Sequence, residues 1–377
     1  MKRSHISLVL VSILLSALAM PTAAHAFSNP NPITIACPNG GSYDIDANGT
    51  ASNGNSCYGS LTLDPRVKAV ADNGFQHAAL TSLNLDSGLM TIGAHAFDDS
   101  TLTSLTLDPS LVSIGANAFF SSPLTTLTLD DSLISIGQAA FLNSLITSLV
   151  LDRSLTTIGM AAFLYSRLIS LKVDNSLTSI GIQSFAQARL TSLKFDDSLI
   201  SVGDYAFALS PLTSLTLGKS IQTIGPGAFF DSDLTSLTLD DSLTSIGDFA
   251  FYNSHLTSVS LNKTLISIGD FAFYESPVTS FTFNDSLFSI GGFAFYNSQL
   301  KSLKLGRSLT NLGEFSFYYS PLISLELDDK LNSLEEFAFY NANLSCLNNN
   351  SHISNFGGTG IESFISLPTC WQARIPV

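Results

Sequence analysis

Phenylalanine recurs every 22 residues along this chain, at Phe75, Phe97, Phe119, Phe141, Phe163, Phe185, Phe207, Phe229, Phe251, Phe273, Phe295, Phe317 and Phe339, and no interval deviates. A leucine lattice keeps the same register. In residues 102–123, LTSLTLDPSLVSIGANAFFSSP, apolar side chains fall at positions 1, 4, 6, 10, 13 and 18, with Leu102 as position 1. A unit this short cannot bury its apolar side alone. Thirteen copies in strict register therefore have to stack, each closing its interior only against its neighbours.

The other positions of the unit follow from that stacking. The opening Leu-x-x-Leu-x-Leu reads as a short strand with position 4 inward and positions 3 and 5 outward. Glycine at position 14, from Gly93 through Gly313, reads as a tight turn that needs a permissive backbone. The stretch after it, as in residues 270–274, has room for one helical or 3₁₀ turn. Position 17 is Ala or Ser from Ala96 to Ala338, as close approach of adjacent coils requires. Position 9 is a hydroxyl column that includes Ser110, Ser132, Ser176 and Thr264; buried there, it would satisfy backbone groups of the turn.

Leu-x-x-Leu-x-Leu in a unit of this length is the leucine-rich-repeat signature. The second half, as in SLTSIGDFAFYNS (242–254), resembles the BspA-like or Treponema-type family of bacterial secreted and cell-surface proteins, over residues 58–343. Two features depart from that family. Its proline after the strand survives at Pro65 and Pro109, and its late cysteine is here Ser or Ala, as at Ser254. The resemblance implies a leucine-rich-repeat solenoid: a right-handed superhelix, β-rich, with a parallel sheet on the concave side and short 3₁₀ or helical turns on the convex side. It also implies a binding protein, often regarded as an adhesin.

The ends read differently from the array. Lys2 and Arg3 precede an apolar run from Ile6 to Met20, then Ala24-His25-Ala26, which reads as a secretory signal over residues 1–26. The run is shorter than the ~20 residues a membrane-spanning helix needs. Residues 27–57 form an N-terminal cap, 58–343 the repeats and 344–377 a C-terminal cap, where Glu335 and Asn349 already break the pattern and Trp371 appears. No spanning segment or sorting motif is visible after the array, so simple secretion is the expectation, with surface attachment the alternative.

Four cysteines allow three pairings. At about 4.8 Å per coil the two pairs lie roughly 60 Å apart, whereas a disulfide needs α-carbons within about 7 Å. Cys37–Cys57 and Cys346–Cys370 are the expected bridges. Without residues 1–26, 14 basic residues face 30 acidic ones, a formal charge of −16. That charge disfavours nucleic acid and anionic membranes as partners.

Two surfaces are candidates for binding a protein or glycan partner. The first is a hydroxyl face on the expected concave sheet: Ser104, Thr106, Thr126, Thr128, Ser214, Thr216, Ser236 and Thr238. Its plainer reading is strand-compatible, soluble filler; an ice-binding face is a further alternative, opposed by the curvature of such sheets. The second is an expected convex stripe at positions 16 and 19: Phe249, Tyr252, Phe271, Tyr274, Phe293, Tyr296, Phe315, Tyr318, Phe337 and Tyr340. Its plainer reading is packing along the ladder over the core.

The remaining signals read as structure. Aspartates at position 7, among them Asp64, Asp108 and Asp196, fit turns that bond the backbone two residues on, with cation binding the alternative. Residues 44–50 resemble the start of a calcium loop, but Asn48-Gly49 also marks a hairpin. Histidines His77, His95, His255 and His352 lie in separate copies. We expect no catalysis, cofactor or metal site. A structural role through self-association is the rival to binding.

Overall fold

The computed structural model describes residues 32–353, apart from 86, 87, 152, 174, 175, 240, 261, 262, 282 and 352, together with 358 and 359. Each 22-residue copy forms one coil of a parallel β-solenoid. Positions 1, 4, 6, 10, 13, 17 and 18 turn inward, as Leu102, Leu105, Leu107, Leu111, Ile114, Ala118 and Phe119 illustrate. The periodic phenylalanines are fully buried and stack with centroids 5.1–5.7 Å apart and planes within 14° of parallel. Burying one such ring contributes roughly 2–3 kcal/mol.

A coil contains two strands, not the one read from the sequence. Ser104–Thr106 is the expected first strand and Ser113–Ile114 is a second. The second strands pair in register from Ala69–Val70 to Ser333–Leu334 within one uninterrupted sheet of 16 strands. The first strands, expected to form the continuous sheet, instead form separate ladders of four, two, two, three and three. The second strand escaped notice because it is two residues long and buries a single side chain, so it has no alternation to read.

The expected helical turn is also absent: among the described residues there is no helix. The segment after Gly at position 14 places positions 16 and 20 of every coil in the left-handed region, as at Phe249 (φ +58°) and Asn253 (φ +54°). Its N–H groups at positions 16, 18 and 20 donate to the next coil. Phe249, Phe251 and Asn253 bond the carbonyls of Asp270, Ala272 and Tyr274, all at 2.8 Å. A helical turn would spend those donors inside its own coil. A left-handed non-glycine residue costs about 1–2 kcal/mol, offset by roughly 1 kcal/mol per bond and by the ring packing described below.

Glycine at position 14 serves close approach, and its φ is not positive. The Gly203 N–H reaches the Ile180 carbonyl of the preceding coil at 2.9 Å. A Cβ there would sit 2.5 Å from that same oxygen. In the last coil Glu335 occupies this place and the equivalent bond lengthens to 3.3 Å.

Polar side chains tie coil to coil. At position 9, Ser132, Ser176 and Ser242 donate to the carbonyls of Leu111, Leu155 and Ile221 of the preceding coil at 2.9–3.0 Å. The column is half-buried rather than buried. Asp64 and Asp108 accept the N–H two residues on, from Arg66 (2.9 Å) and Ser110 (2.7 Å), which is turn chemistry.

The N-terminal cap is antiparallel. Strands β1 (Ile33–Ala36), β2 (Ser42–Ile45) and β3 (Thr50–Ser52) pair in order, and β3 then pairs in parallel with Ala69–Val70. The β2–β3 connection is the hairpin: Asp46 accepts the Asn48 and Thr50 N–H groups, both at 2.8 Å, and Gly49 takes φ +82°. Tyr43 starts the ring stack against Phe75 at 5.4 Å, and its hydroxyl accepts the Asp64 N–H. Cys37 and Cys57 are bonded, with α-carbons 5.7 Å apart.

At the other end, Cys346–Asn349 adds one more first strand to Ser324–Leu327. The Phe337 and Phe339 N–H groups find the carbonyls of Gly358 and Thr359, where a further coil would have supplied acceptors. Cys346 is buried and disulfide-bonded. Its expected partner Cys370, Trp371 and the signal segment 1–26 lie outside the described residues.

Candidate binding surfaces

Hydroxyl side chains form several columns along the solenoid, and most are spent on the fold. Position 2 is one: Thr125, Thr213 and Thr279 donate to the carbonyls of Thr103, Thr191 and Thr257 at 2.9–3.0 Å. Position 9 is another. Position 21, which the sequence marked only as the missing cysteine, is a buried file in which Ser100–Ser122, Ser254–Ser276 and Ser298–Ser320 bond at 2.6–2.8 Å.

Positions 3 and 5 differ. Ser104, Thr106, Thr126, Thr128, Ser214, Thr216, Ser236 and Thr238 are all exposed, and none has a hydrogen bond within the described residues. They flank an inward leucine, so the strand geometry aims them at solvent. Ser104, Thr106, Thr126 and Thr128 share one ladder, with Thr126 beside Ser104 and Thr128 beside Thr106. Ser214 and Thr216 belong to a two-strand ladder with Ser192–Lys194, whereas Ser236 and Thr238 open the next ladder.

The aromatic positions form two continuous stacks. Phe249, Phe271, Phe293, Phe315 and Phe337 follow one another at 4.7–5.1 Å. Tyr252, Tyr274, Tyr296, Tyr318 and Tyr340 do so at 4.7–5.3 Å, and Phe230 extends that file at 4.8 Å. Ring planes stay within 21° of parallel, so an interior ring has both faces covered and offers only an edge. The stripe is half-buried except at its end, where Phe337 is 36%, Tyr340 42% and Tyr319 44% exposed.

This packing shifts the phenols. Burial, then the Glu275 carboxylate, pushes Tyr274 up to about 12. A hydrogen bond with Tyr319 and then burial take Tyr318 to about 12. Tyr252 and Tyr296 are raised too, chiefly by burial.

The N-terminal coils fill the same columns with a polar network. Asp98 accepts from Gln76 (3.3 Å), lies 2.9 Å from His95 Nδ1, and Asn117 meets the other ring nitrogen at 3.2 Å. His77 and His255 pair singly with Asp99 (3.5 Å) and Asp233 (3.4 Å). Among the described residues no group of three or more His, Cys, Asp or Glu could hold a metal ion, and no helix is long and apolar enough to cross a membrane. His352 lies outside them.

One exposed feature was not read from the sequence. Ile134, Ile200, Ile266 and Phe288, at position 11, are 43–49% exposed beside the second strand. Their signal was the optional apolar residue before each buried Ile or Val, which means little until the second strand is known.

A coil with this lattice, this buried phenylalanine file and parallel strands defines a leucine-rich-repeat solenoid. Its sequence matches the BspA-type leucine-rich-repeat region over residues 68–189, 156–269 and 244–365, and the chain belongs to that family. The crystal structure of a leucine-rich-repeat protein from Bacteroides ovatus is similar in fold (TM-score 0.62, 19% identity, 87% of this chain and 90% of that one). More distant matches are the pneumococcal vaccine antigen PcpA (TM-score 0.48, 24% identity, 85% and 86%) and a leucine-rich cell-surface protein from Faecalibacterium prausnitzii (TM-score 0.31, 18% identity, 77% and 96%). No curated protein matches the chain.

Proposed function

We propose that this chain is an exported, extracellular binding or adhesion protein that recognises a protein or glycan partner through its repeated hydroxyl face. Export is supported by the charged, apolar, Ala-x-Ala order of residues 1–26. One observation carries the binding reading. Hydroxyls at positions 2, 9 and 21 are committed to the backbone or to each other, whereas those at positions 3 and 5 are exposed and unspent. Each new hydrogen bond contributes only about 1 kcal/mol, so affinity on such a face comes from summing over coils. Binding rather than catalysis is the better reading because the histidines and their carboxylate neighbours are dispersed over separate coils.

The test is an array of glycans and host-matrix proteins probed with the chain from Phe27 onward. It is followed by the combined variant Thr106→Ala, Thr128→Ala, Thr216→Ala and Thr238→Ala. These are exposed positions, so stability should change by no more than ~0.5 kcal/mol per site. Capture that is weakened by the variant supports the reading; a partner held equally well by the variant removes this face from the contact.

Self-association is the second reading, favoured by the exposed Ile134, Ile200, Ile266 and Phe288 on the continuous sheet. It predicts concentration-dependent growth in light scattering that Ile200→Ser and Ile266→Ser reduce.

A further inference from the structure

Basic residues are segregated along this chain. Between 153 and 194 the sequence holds Arg153, Arg167, Lys172, Arg189 and Lys194 against a single acid, Asp174, although the whole chain carries a formal charge of −14. No lysine or arginine occurs from 69 to 152.

Two of these residues interrupt the hydroxyl face. Lys172 and Lys194 occupy position 5 of consecutive coils, a column filled elsewhere by Thr106, Thr128, Thr216, Thr238 and Ser260. Both are exposed, and neither has an ion-pair partner among the described residues. Lys304 in the same column shows the alternative: it meets Glu326 of the next coil at 3.0 Å. Like charges on facing positions of neighbouring strands are destabilising, so the fold itself gains nothing from two adjacent lysines.

The strands that carry them have also parted. Ser170–Lys172 pairs with Ser148–Val150, and Ser192–Lys194 pairs with Ser214–Thr216, but the two are not paired with each other. A cavity of about 450 Å³ opens at this interruption, between the two lysines and over Leu171, Val173 and Phe195. That volume is within the range of small-ligand sites. Asp196 and Asp197 lie at its turn end. Asp197 is already engaged: it accepts the Lys219 N–H at 3.0 Å and faces that residue's ammonium at 3.9 Å. The exposed Ser170 and Ser192 sit on the same two strands.

We propose that this cleft binds an acidic sugar, a uronate or sulfated residue of a glycan. The Lys172 and Lys194 ammonium groups take its carboxylate or sulfate, Ser170 and Ser192 bond its hydroxyls, and the apolar floor supports the C–H face of the ring. The inference rests on the reading of the hydroxyl face as a binding surface and narrows its partner to acidic glycans.

Titration calorimetry on the chain from Phe27 onward tests it, using a heparin-derived oligosaccharide, a hyaluronan oligosaccharide, neutral dextran of similar length and inorganic sulfate. The informative variant is Lys172→Thr with Lys194→Thr, which restores the residue that other coils carry. Lys263→Thr with Lys330→Thr removes the same charge elsewhere. An acidic oligosaccharide should bind the wild type, with dextran and free sulfate far weaker. The first variant should weaken it about a hundredfold, as two lost charge-assisted contacts of about tenfold each, and the second should not.

Equal binding of dextran, equal binding of free sulfate, or acidic-sugar binding that survives Lys172→Thr with Lys194→Thr overturns the proposal. If the wild type captures a protein or neutral glycan but no acidic sugar, this inference falls and the broader reading stands. If it captures nothing, both fall.

Discussion

Replacing Gly203 by alanine sets two effects of opposite sign against each other. Its φ is not in the left-handed region, so the usual entropic argument says that Ala stabilises, by about 0.4–1 kcal/mol. Against that, the new Cβ would stand 2.5 Å from the Ile180 oxygen, 2.8 Å from the Gly181 carbonyl carbon and 3.0 Å from its oxygen, all backbone atoms of the preceding coil. Restoring ordinary contact, at about 3.4 Å, requires the coils to separate by roughly 0.9 Å. That movement stretches the 2.9 Å Gly203–Ile180 bond and opens the 5.3 Å Phe185–Phe207 stack. One weakened hydrogen bond costs about 1 kcal/mol and overpacking about 1–3 kcal/mol, so a net loss of about 2–4 kcal/mol is expected. Gly292 is the internal control. Its Cβ would meet only the Glu314 oxygen, at 3.3 Å, so Gly292→Ala should be neutral or slightly stabilising. Urea midpoints by circular dichroism, with amide exchange at Phe185 and Phe207, separate the cases. A Gly203→Ala protein as stable as the wild type would refute close approach as the reason for the glycine file.

Phe207→Ala removes a fully buried ring held between Phe185 and Phe229. It should cost about 3–5 kcal/mol, with exchange accelerating in the coils on both sides because each closes on its neighbour. The tyrosine file predicts alkaline behaviour with a defined sign. Tyr274 and Tyr318 are raised to about 12 from an unfolded value near 10, so their contribution is complete below pH 10 and lost as pH rises toward 12. Phenolate absorbance should therefore develop late and together with loss of strand signal. Tyr274→Ser, stacked on both faces, should lower stability by about 2–4 kcal/mol, whereas the terminal, exposed Tyr340→Ser should cost under about 1 kcal/mol. Equal costs, measured by denaturant unfolding, would mean that the stack is not what holds the stripe.

The solenoid was legible because its determinants are single residues at a fixed interval: Phe207, Leu215 and their equivalents must face inward in every coil. What stayed hidden is carried by backbone relations between coils. The second strand, as in Ser113–Ile114, contributes one buried side chain and no alternation. The left-handed residues did leave a trace, since Asn73, Asn117, Asn143, Asn253 and Asn297 are of a type that tolerates that region. Phe249 and its four successors at the same position conceal it, because an Ala-Phe-rich stretch looks like a helical turn. The candidate hydroxyl face was readable as a pattern. Its distinction from the position 2 and position 9 columns was not, because a hydroxyl that bonds a carbonyl 21 or 22 residues away looks the same in the sequence as one that bonds nothing.

The aromatic columns show why recognition is better assigned to the hydroxyl face. Five phenylalanines adopt φ of +55° to +58°, a conformation that costs each about 1–2 kcal/mol and that His95 and Asn117 occupy in earlier coils. A bulky ring is tolerable there only if its faces are covered, and 4.7–5.1 Å stacking covers them. A ring committed to both neighbours has little left for a ligand, so sugar stacking is possible only where the file ends, at Phe337 and Tyr340. The position 3 and 5 hydroxyls carry no such commitment. Substituting an interior ring should therefore weaken the C-terminal coils before it alters binding, whereas substituting Thr106 or Thr216 should alter binding and leave the coils intact.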